Sequence, residues 1–466
     1  MDATNLDASN LFAKNFYDVK YEDLSEKAIS ETKKQVLDFI AVATGGYGQG
    51  GGAQTRELAV EWGGAPQSTI IGCGIKVPAP AAAQANASMA HSLDFDDVHE
   101  AAIMHPGVVT ISTALAVGEY VGGISGKELI RNIVVGGDMI CRMGLATHPG
   151  KDIHQFGWHF TTVNGYMTAA AVASSVMGLD LQQMIYAIGI AYHQSSGNGQ
   201  AVKDSSLTKR LGPGFSVRGG IAAAMLAGKG VTGATNSMEG VNGYYKVYHG
   251  NDYSRDILIG DLGKRFESEN TSIKPYPCCR GTHPSADAAL SLVRDYGVTV
   301  DNIAGIVIFC GKGTLGLLGE PLEFKAKPRN VVDSQFSLAW ACATGLVKNR
   351  VSLSSFTEEA IRDADILEVA GKIKVEHDPK YDTGGLEPVR IEVTMKDGSV
   401  HSVERLTATG SPENPVTFDE CVEKFYGCTE YSALPMPRAH ADKIVEAVKA
   451  LDDMEDIGEL VRLLSW

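Results

Sequence analysis

Apolar residues recur at helical spacing along most of the chain. Within 25–44, Ile29, Val36 and Ile40 fall on one face of a predicted helix. The region 79–229 reads as a succession of helices rich in Ala, Gly, Val and Met. Such small residues are typical of helices that pack closely against each other. The pattern therefore predicts a large helical core.

The pattern changes near Lys274. Residues 303–309 and 388–395 are rich in β-branched side chains, and the second run continues through Asp397-Gly398 into 399–405, which is a hairpin signal. Helical patterns alternate with these strands at 285–296, 334–348 and 357–366, and they return after Gly410. We therefore predict a mainly α protein with two domains. A large all-helical domain is formed from both chain ends, 1–268 and 406–466, and a smaller α+β lid domain, 269–405, is inserted between them.

Composition and charge narrow the class of protein. A length of 466 residues with 44% hydrophobic and 21% charged residues is typical of a globular protein of two domains. The formal net charge of −15 argues against a nucleic acid or an anionic membrane as partner. The acidic start MDATNLDASN lacks the features of a targeting signal, so we expect a cytoplasmic protein. The eight cysteines show no CxxC spacing, which gives no support to a structural zinc site or a disulfide framework.

The stretch 91–107, HSLDFDDVHEAAIMHPG, is the densest group of ionisable residues. It holds three aspartates and three histidines between two apolar helical runs, 79–90 and 108–121. Two interpretations stay open, a functional site and a solvated acidic turn. The aspartates together with His99 could bind a divalent metal, and they could equally be buried acids that support a histidine.

Three histidines stand where helices are predicted to begin. They are His105 before Pro106, His159 before a helix whose cap is Thr161 or Thr162, and His283 before Pro284. A helix N-terminus carries roughly half a positive charge, which disfavours imidazolium. We expect such a histidine to stay neutral and able to remove a proton near pH 7. The alternative is that these are ordinary helix starts.

Two basic segments interrupt an otherwise acidic chain. Residues 208–214 carry Lys209 and Arg210, and residues 273–280 carry Lys274 and Arg280. We predict that both are loops, kept well defined by glycine and proline. Such loops suit a small polycarboxylate, whose charge must be offset before a carbanion can form beside it. The alternative is that these lysines and arginines are ordinary solvent-exposed surface residues.

Motifs of other enzyme classes do not occur. The chain has no GxSxG, HExxH, Walker or strand-GxGxxG pattern, and the glycine-rich run 45–52 is taken as a loop. Cys278 or Cys279 could hold a nucleophile, although at most one of two adjacent residues in an extended segment faces a pocket.

Taken in order, these segments resemble the MmgE/PrpD family, which includes 2-methylcitrate dehydratase, cis-aconitate decarboxylase and iminodisuccinate epimerase. The resemblance extends along the chain through HSLDFDDVHEAAIMHPG, GWHFTTVNG, TKRLGPGFSVRGG, SIKPYPCCRGTHP, DSQFSLAWACATGLV and ATGSPENPVTFDECVEKF. It implies the two-domain fold above, a homodimer, and chemistry without an organic cofactor or an iron-sulfur cluster. The implied active-site residues are Asp94, His105, His159, Lys209, Lys274 and His283. The sequence departs from the family pattern in two places: no histidine follows Lys209 within 210–214, and Val98 stands where some decarboxylases have threonine or tyrosine.

We therefore predict a cofactor-independent lyase for a small di- or tricarboxylate, with a 2-methylcitrate dehydratase-like hydro-lyase as the leading reaction. The alternatives are a cis-aconitate decarboxylase-like carboxy-lyase, an iminodisuccinate epimerase-like isomerase, a non-catalytic carboxylate-binding protein and a metal-dependent hydrolase. His105 or His159 would exchange the proton alpha to a carboxylate, and Asp94 would orient a histidine. Predicted substrate-binding residues are Lys209, Arg210, Lys274, Arg280 and His283. No resident metal or cofactor is expected.

Overall fold

The computed structural model describes residues 6–151, 156–383 and 388–466. It contains two compact units. Unit 1 consists of Met1–Thr271 and Thr417–Trp466, and unit 2 of Ser272–Val416. The division into independently folding domains at 268/269 and 405/406 remains a prediction.

Helices are the main element of the fold, which confirms the prediction of a mainly α protein with a smaller part that contains a sheet. In chain order the α-helices of the described residues are α1 Ala8–Asp18, α2 Glu26–Gly45, α3 Gly52–Trp62, α4 Ala79–His91, α5 Pro106–Tyr120, α6 Gly126–Ala146, α7 Phe160–Val176, α8 Leu181–Gln194, α9 Gln200–Lys203, α10 Thr208–Gly228, α11 Tyr244–His249, α12 Arg255–Ile259, α13 His283–Tyr296, α14 Lys312–Thr314, α15 Leu322–Ala326, α16 Val331–Gln335, α17 Leu338–Lys348, α18 Ala364–Ala370, α19 Phe418–Tyr431, α20 Arg438–Lys449 and α21 Gly458–Leu463. The strands are β1 Ser68–Thr69, β2 Lys76–Val77, β3 Ile303–Cys310, β4 Ile373–His377, β5 Val389–Met395 and β6 Val400–Arg405.

The core of unit 1 is built on α4, α5, α7 and α10. Helix α7 is buried along nearly its whole length, and α10 packs against α4, α7 and α8. Small side chains make this approach possible: a Cβ at Gly220 would lie 2.5 Å from the Cβ of Ala169. The alanine and glycine content of these segments is therefore a packing requirement. Within the described residues, no helix is long and apolar enough to cross a membrane.

Unit 2 is organised around a four-stranded sheet with the order β4-β3-β5-β6. Strands β3 and β4 are parallel, and β5 is antiparallel to both β3 and β6. The hairpin predicted at Asp397-Gly398 joins β5 to β6, as expected. Helix α13 packs on β5, β6 and α17, and the core contains the fully buried Trp340.

Two helix predictions in unit 2 were wrong. The pattern at 334–348 is split, because Ser337 begins a new helix by accepting a hydrogen bond from the Trp340 backbone N–H at 2.9 Å. The pattern at 357–366 gives only a short 3₁₀ turn before α18, which Asp363 caps. In both places a side chain that caps a helix start prevented one continuous helix.

Candidate active site

The stretch 91–107 is a compact buried turn between α4 and α5. Asp94 has a left-handed backbone conformation with φ 52°, and the backbone N–H of His99 donates to the Met104 carbonyl at 2.8 Å. Asp94, Asp96 and Asp97 are buried, with whole-residue exposures of 5%, 2% and 3%. The alternative of a solvated acidic turn is therefore wrong.

Asp97 caps the N-terminus of α5. Its two carboxylate oxygens lie 3.1 and 3.0 Å from the Gly107 backbone nitrogen, and a Cβ at Gly107 would lie only 2.5 Å from this carboxylate. Burial, followed by the neighbouring Asp96, raises the pKa of Asp97 well above its usual range. The structure gives Asp97 a role in holding the start of α5 in place.

His105 is the residue before α5, as predicted, and its tautomer follows from its contacts. Its Nδ1 lies 2.6 Å from the carbonyl oxygen of Asp97. A carbonyl can only accept a hydrogen bond, so Nδ1 carries the hydrogen, and the lone pair of the neutral ring is on Nε2. His105 is therefore anchored through Nδ1, and Nε2 is the basic nitrogen of its neutral ring.

Asp96 lies between two imidazoles. Its Oδ2 is 2.7 Å from Nδ1 of the fully buried His91 and 3.3 Å from Nδ1 of His105. The two rings meet edge to face with centroids 4.8 Å apart. The family resemblance implied neither His91 nor Asp96 as an active-site residue. The structure places both beside the predicted proton-transfer residue.

The same trio is the group of described residues that could hold a metal ion. One ligand atom from each of His91, Asp96 and His105 lies within 4.8 Å of the others. This set differs from the cluster of aspartates with His99 suggested by the sequence. The Nδ1 atoms of both histidines already donate hydrogens to oxygen atoms, an arrangement that suits a hydrogen-bonded relay.

His159 is the residue before α7. Its carbonyl accepts hydrogen bonds from the N–H groups of Thr162 at 2.9 Å and Val163 at 3.0 Å, so His159 is the N-cap. The predicted cap at Thr161 or Thr162 was therefore two or three residues too late. The Nδ1 of His159 is 2.6 Å from the Thr162 hydroxyl, and the His105 N–H donates to the Thr161 hydroxyl at 3.0 Å. The two helix N-termini and their histidines are thus tied together.

The pKa of His159 is lowered to about 3, first by burial and then by the charge of Lys209. The expectation of a neutral histidine agrees with this value, although burial is the first cause. At pH 7 this imidazole can accept or donate a hydrogen bond without adding a charge.

Lys209 lies in the first turn of α10 and forms a buried ion pair with Asp94, whose side chain is 7% exposed. The prediction that 208–214 is a loop was wrong. Helix α10 continues through Pro213, and its glycines let it pack closely against neighbouring segments. A Cβ at Gly212 would lie 2.2 Å from the Thr162 hydroxyl, and one at Gly214 would lie 2.3 Å from the Ser88 hydroxyl. These close contacts outweigh the poor helix propensity of the segment.

Arg210, the other cation of this segment, contacts the glycine-rich run. Its guanidinium donates to the Gly50 carbonyl at 2.8 Å, and a Cβ at Gly51 would lie 3.2 Å from the Arg210 Cβ. Arg210 therefore anchors the chain at Gly50. Its role in binding substrate stays a prediction.

The remaining predicted residues lie in unit 2. Lys274 is buried with 1% exposure. The guanidinium of Arg280 donates to the carbonyls of Thr409 at 2.7 Å and Ala408 at 3.1 Å, and it lies 3.2 Å from Nδ1 of His283. These contacts join two segments of the same unit.

The tautomer of His283 is also fixed by its neighbours. Arginine can only donate, so Nδ1 of His283 accepts, and Nε2–H donates to the Cys278 carbonyl at 3.2 Å. Cys278 is itself buried and accepts a hydrogen bond from the Thr282 hydroxyl at 3.1 Å. This geometry favours a structural role for His283, whose predicted part in substrate binding stays untested.

The structure thus brings Asp94, His105, His159 and Lys209 together in unit 1, with His91 and Asp96 as added members. A signal for the added pair was present in the density of ionisable residues in HSLDFDD. Nothing in the pattern indicated which aspartate would contact which histidine.

Comparisons with known proteins agree with the resemblance seen in the sequence. Residues 10–256 match the model of the MmgE/PrpD N-terminal domain, and residues 276–452 match that of the MmgE/PrpD C-terminal domain.

Three relatives are similar over most of their length. A cis-aconitate decarboxylase-like protein oryM of Aspergillus oryzae is 27% identical over 85% of this chain and 84% of its own. The cis-aconitate decarboxylase of Aspergillus terreus is 26% identical over 85% and 83%, and that of Mus musculus is 25% identical over 94% and 89%. Because the two family models together span most of the sequence, the chain belongs to the MmgE/PrpD family and is a lyase.

Proposed function

We propose that this protein is a carboxy-lyase that removes CO2 from cis-aconitate or from a tricarboxylate of the same layout. The leading prediction from the sequence was a hydro-lyase, and decarboxylation was its alternative. The relatives named above are decarboxylases or decarboxylase-like, and the chain covers more than four-fifths of each. This likeness favours the alternative over dehydration.

The proposed reaction has a simple balance. When the carboxymethyl arm of cis-aconitate loses CO2, the electron pair of the broken C–C bond shifts through the double bond toward the carboxylate at its far end. One proton must then reach the carbon next to that carboxylate. The products are one CO2 and one unsaturated dicarboxylate, and the electron count needs no oxidant. The protein must therefore hold three carboxylates, stabilise the enolate-like intermediate and deliver one proton.

The observation that carries this proposal is the group formed by His105 and His159 at two joined helix N-termini, with the Lys209–Asp94 pair in the same unit. His105 Nε2 would transfer the proton, because its Nδ1 is anchored on the Asp97 carbonyl. His159, held neutral, would hydrogen-bond the substrate without adding a charge.

The lysines would act on the carboxylates. Lys209 would bind one carboxylate and stabilise the developing negative charge, with Asp94 holding its ammonium in position. We propose the same carboxylate-binding role for Lys274. Asp94 is thus assigned to Lys209, where the sequence had suggested that it orients a histidine.

The test is a panel of candidate substrates. Purified protein is incubated separately with cis-aconitate, citrate, 2-methylcitrate and iminodisuccinate, and each acid is followed by proton NMR. The proposal expects consumption of cis-aconitate with release of CO2, and little change in the other three. Dehydration of 2-methylcitrate or epimerisation of iminodisuccinate at a higher rate would overturn it. Binding of cis-aconitate by calorimetry without turnover would instead favour a carboxylate-binding protein.

A homodimer and a cytoplasmic location belong to the same proposal. Light scattering during size-exclusion chromatography tests the first, with a mass of twice 49.5 kDa expected. Fractionation of the source cells tests the second.

A further inference from the structure

Two histidines of the candidate site have different electrostatic surroundings. His105 has the Asp96 carboxylate 3.3 Å from its Nδ1. The nearest hydrogen-bond partner of His159 is the Thr162 hydroxyl at 2.6 Å. After burial, Lys209 lowers the pKa of His159 more than either Asp94 or Asp96 raises it. A carboxylate stabilises an imidazolium, whereas a nearby ammonium opposes it.

Asp96 is held in place for this contact. Its Oδ2 accepts a hydrogen bond from His91 Nδ1 at 2.7 Å, and His91 is completely buried in the last turn of α4. Its Oδ1 has no hydrogen-bond partner among the described residues. The carboxylate is therefore hydrogen-bonded through Oδ2 only, and the His105 ring lies beside that same oxygen.

Two lysines of the surrounding elements are each paired with an aspartate. Lys209 on α10 is paired with Asp94, and Lys424 on α19 is paired with Asp38 on α2. Burial and Asp96 raise the pKa of Asp97 well above its usual range, and burial likewise raises the pKa of the Cys141 thiol on α6. The other titratable groups on the surrounding elements include His99 and Glu100 in the same turn, Glu119 on α5, the buried Arg142–Asp138 pair on α6, His159 before α7 and Arg210 on α10. Of the carboxylates in this region, Asp96 is the one in contact with the His105 ring.

We infer that Asp96 is a positioning residue that stabilises the imidazolium form of His105 and so selects His105 over His159 as the proton donor. This inference rests on the proposed function and assigns the two histidines different parts in it. His105 would take a proton from solvent at Nε2 and give it to the carbanion left by CO2. His159 would remain neutral throughout.

The test compares Asp96→Asn with the wild type in steady-state kinetics from pH 5 to 9. A required imidazolium donor makes kcat fall as the pH rises. Loss of the Asp96 charge should move this fall to lower pH by about one unit or more, because a neighbouring opposite charge shifts a titration by about 1–3 units. KM for cis-aconitate should change by less than about threefold, because the lysines are intact. A uniform loss of kcat with an unmoved pH profile would overturn the inference.

Asp252→Asn is the matched control. Asp252 also contacts a histidine in unit 1, with 2.7 Å between its Oδ2 and His148 Nδ1. Removing this carboxylate should leave the pH profile of kcat where it is in the wild type. A shift equal to that of Asp96→Asn would show a general charge effect and contradict the specific role.

A titration that needs no substrate separates this inference from the proposed function. Histidine ring signals of the wild type are followed by NMR against pH and assigned with His105→Gln and His159→Gln. His105 should remain protonated to a higher pH than His159, and the reverse order would overturn the inference even if Asp96→Asn does not fold. If none of the four acids reacts, the proposed function fails, while the order of the two titrations still shows which histidine is protonated more easily.

Discussion

Lys209 and Asp94 form a buried ion pair although 115 residues separate them in the sequence. Their side chains are 8% and 7% exposed. The pair joins the first turn of α10 to the turn that follows α4, where Asp94 has its left-handed conformation. One contact thus places a cation of the candidate site and fixes the shape of the acidic stretch.

Lys209→Met should be strongly destabilising because it leaves the buried Asp94 charge without this lysine. We expect the free energy of unfolding in urea to fall by about 3–5 kcal/mol, and turnover to fall by about 100-fold or more. Lys14→Met is the control, because the Lys14–Asp18 pair is more than half exposed, and its loss should cost about 1 kcal/mol or less. Equal effects of the two variants would contradict the importance of the buried pair.

Gly212→Ala should disturb His159 through Thr162. The added Cβ would lie 2.2 Å from the Thr162 hydroxyl and 3.3 Å from Nδ1 of His159. We expect a stability loss of about 1–3 kcal/mol and a larger fall in kcat than rise in KM. Gly427→Ala serves as control, since nothing lies within 4 Å of the added atom; it should stabilise α19 by about 1 kcal/mol or less and leave kcat unchanged. A fully active Gly212→Ala would argue against a role for the His159 position.

His159 should make stability depend on pH. Its pKa is lowered to about 3 in the folded protein by burial and then by Lys209, whereas the unfolded chain binds this proton near pH 6.5. Between these values the unfolded state holds more protons, so stability from this group is complete above pH 6.5 and is lost as the pH falls toward 3. His249, with a pKa lowered to about 4 by burial and His148, adds an effect of the same sign.

The measurement is urea unfolding of the wild type and His159→Gln at pH 7 and pH 5. The wild type should lose more stability than the variant between the two pH values. The same loss in both proteins would show that His159 is not held neutral in the folded state.

Lys424 should support the site without belonging to it. Its ammonium donates to the Phe95 carbonyl at 2.7 Å, lies 2.5 Å from the buried Asp38 and is 3.8 Å from the centre of the Phe95 ring. Lys424→Met should reduce stability by about 3–5 kcal/mol because Asp38 loses this cation. It should also lower kcat, since Phe95 adjoins Asp94.

The double variant Lys424→Met with Asp38→Asn separates the two effects. Removal of both charges should recover part of the stability, but kcat should remain low because the hydrogen bond to Phe95 is still missing. Recovery of full activity would show that Lys424 serves stability alone.

The sequence predicted those features that depend on local chemistry. The helix starts after His105 and His159, the hairpin at Asp397-Gly398 and the mainly α fold with a sheet part all follow from Pro106, turn residues and apolar spacing. A few neighbouring residues determine each of these features, so the sequence pattern is enough to predict them.

The missed features depend on contacts between distant segments. Gly212 and Gly214 favour a loop by propensity, yet they lie in α10 because Thr162 and Ser88 pack against them. The Asp96 contact with His91 depends on a turn with a left-handed Asp94, which a pattern of residue types does not reveal. Tertiary packing decided both cases.

The most direct test of the account is the fate of cis-aconitate in deuterated water. Decarboxylation followed by protonation should release one CO2 per molecule consumed and leave one deuterium on the carbon next to the carboxylate at the far end of the former double bond. His105→Gln should lose this activity while it still binds cis-aconitate. Consumption of cis-aconitate without CO2, or CO2 release with no deuterium at that carbon, would contradict the account.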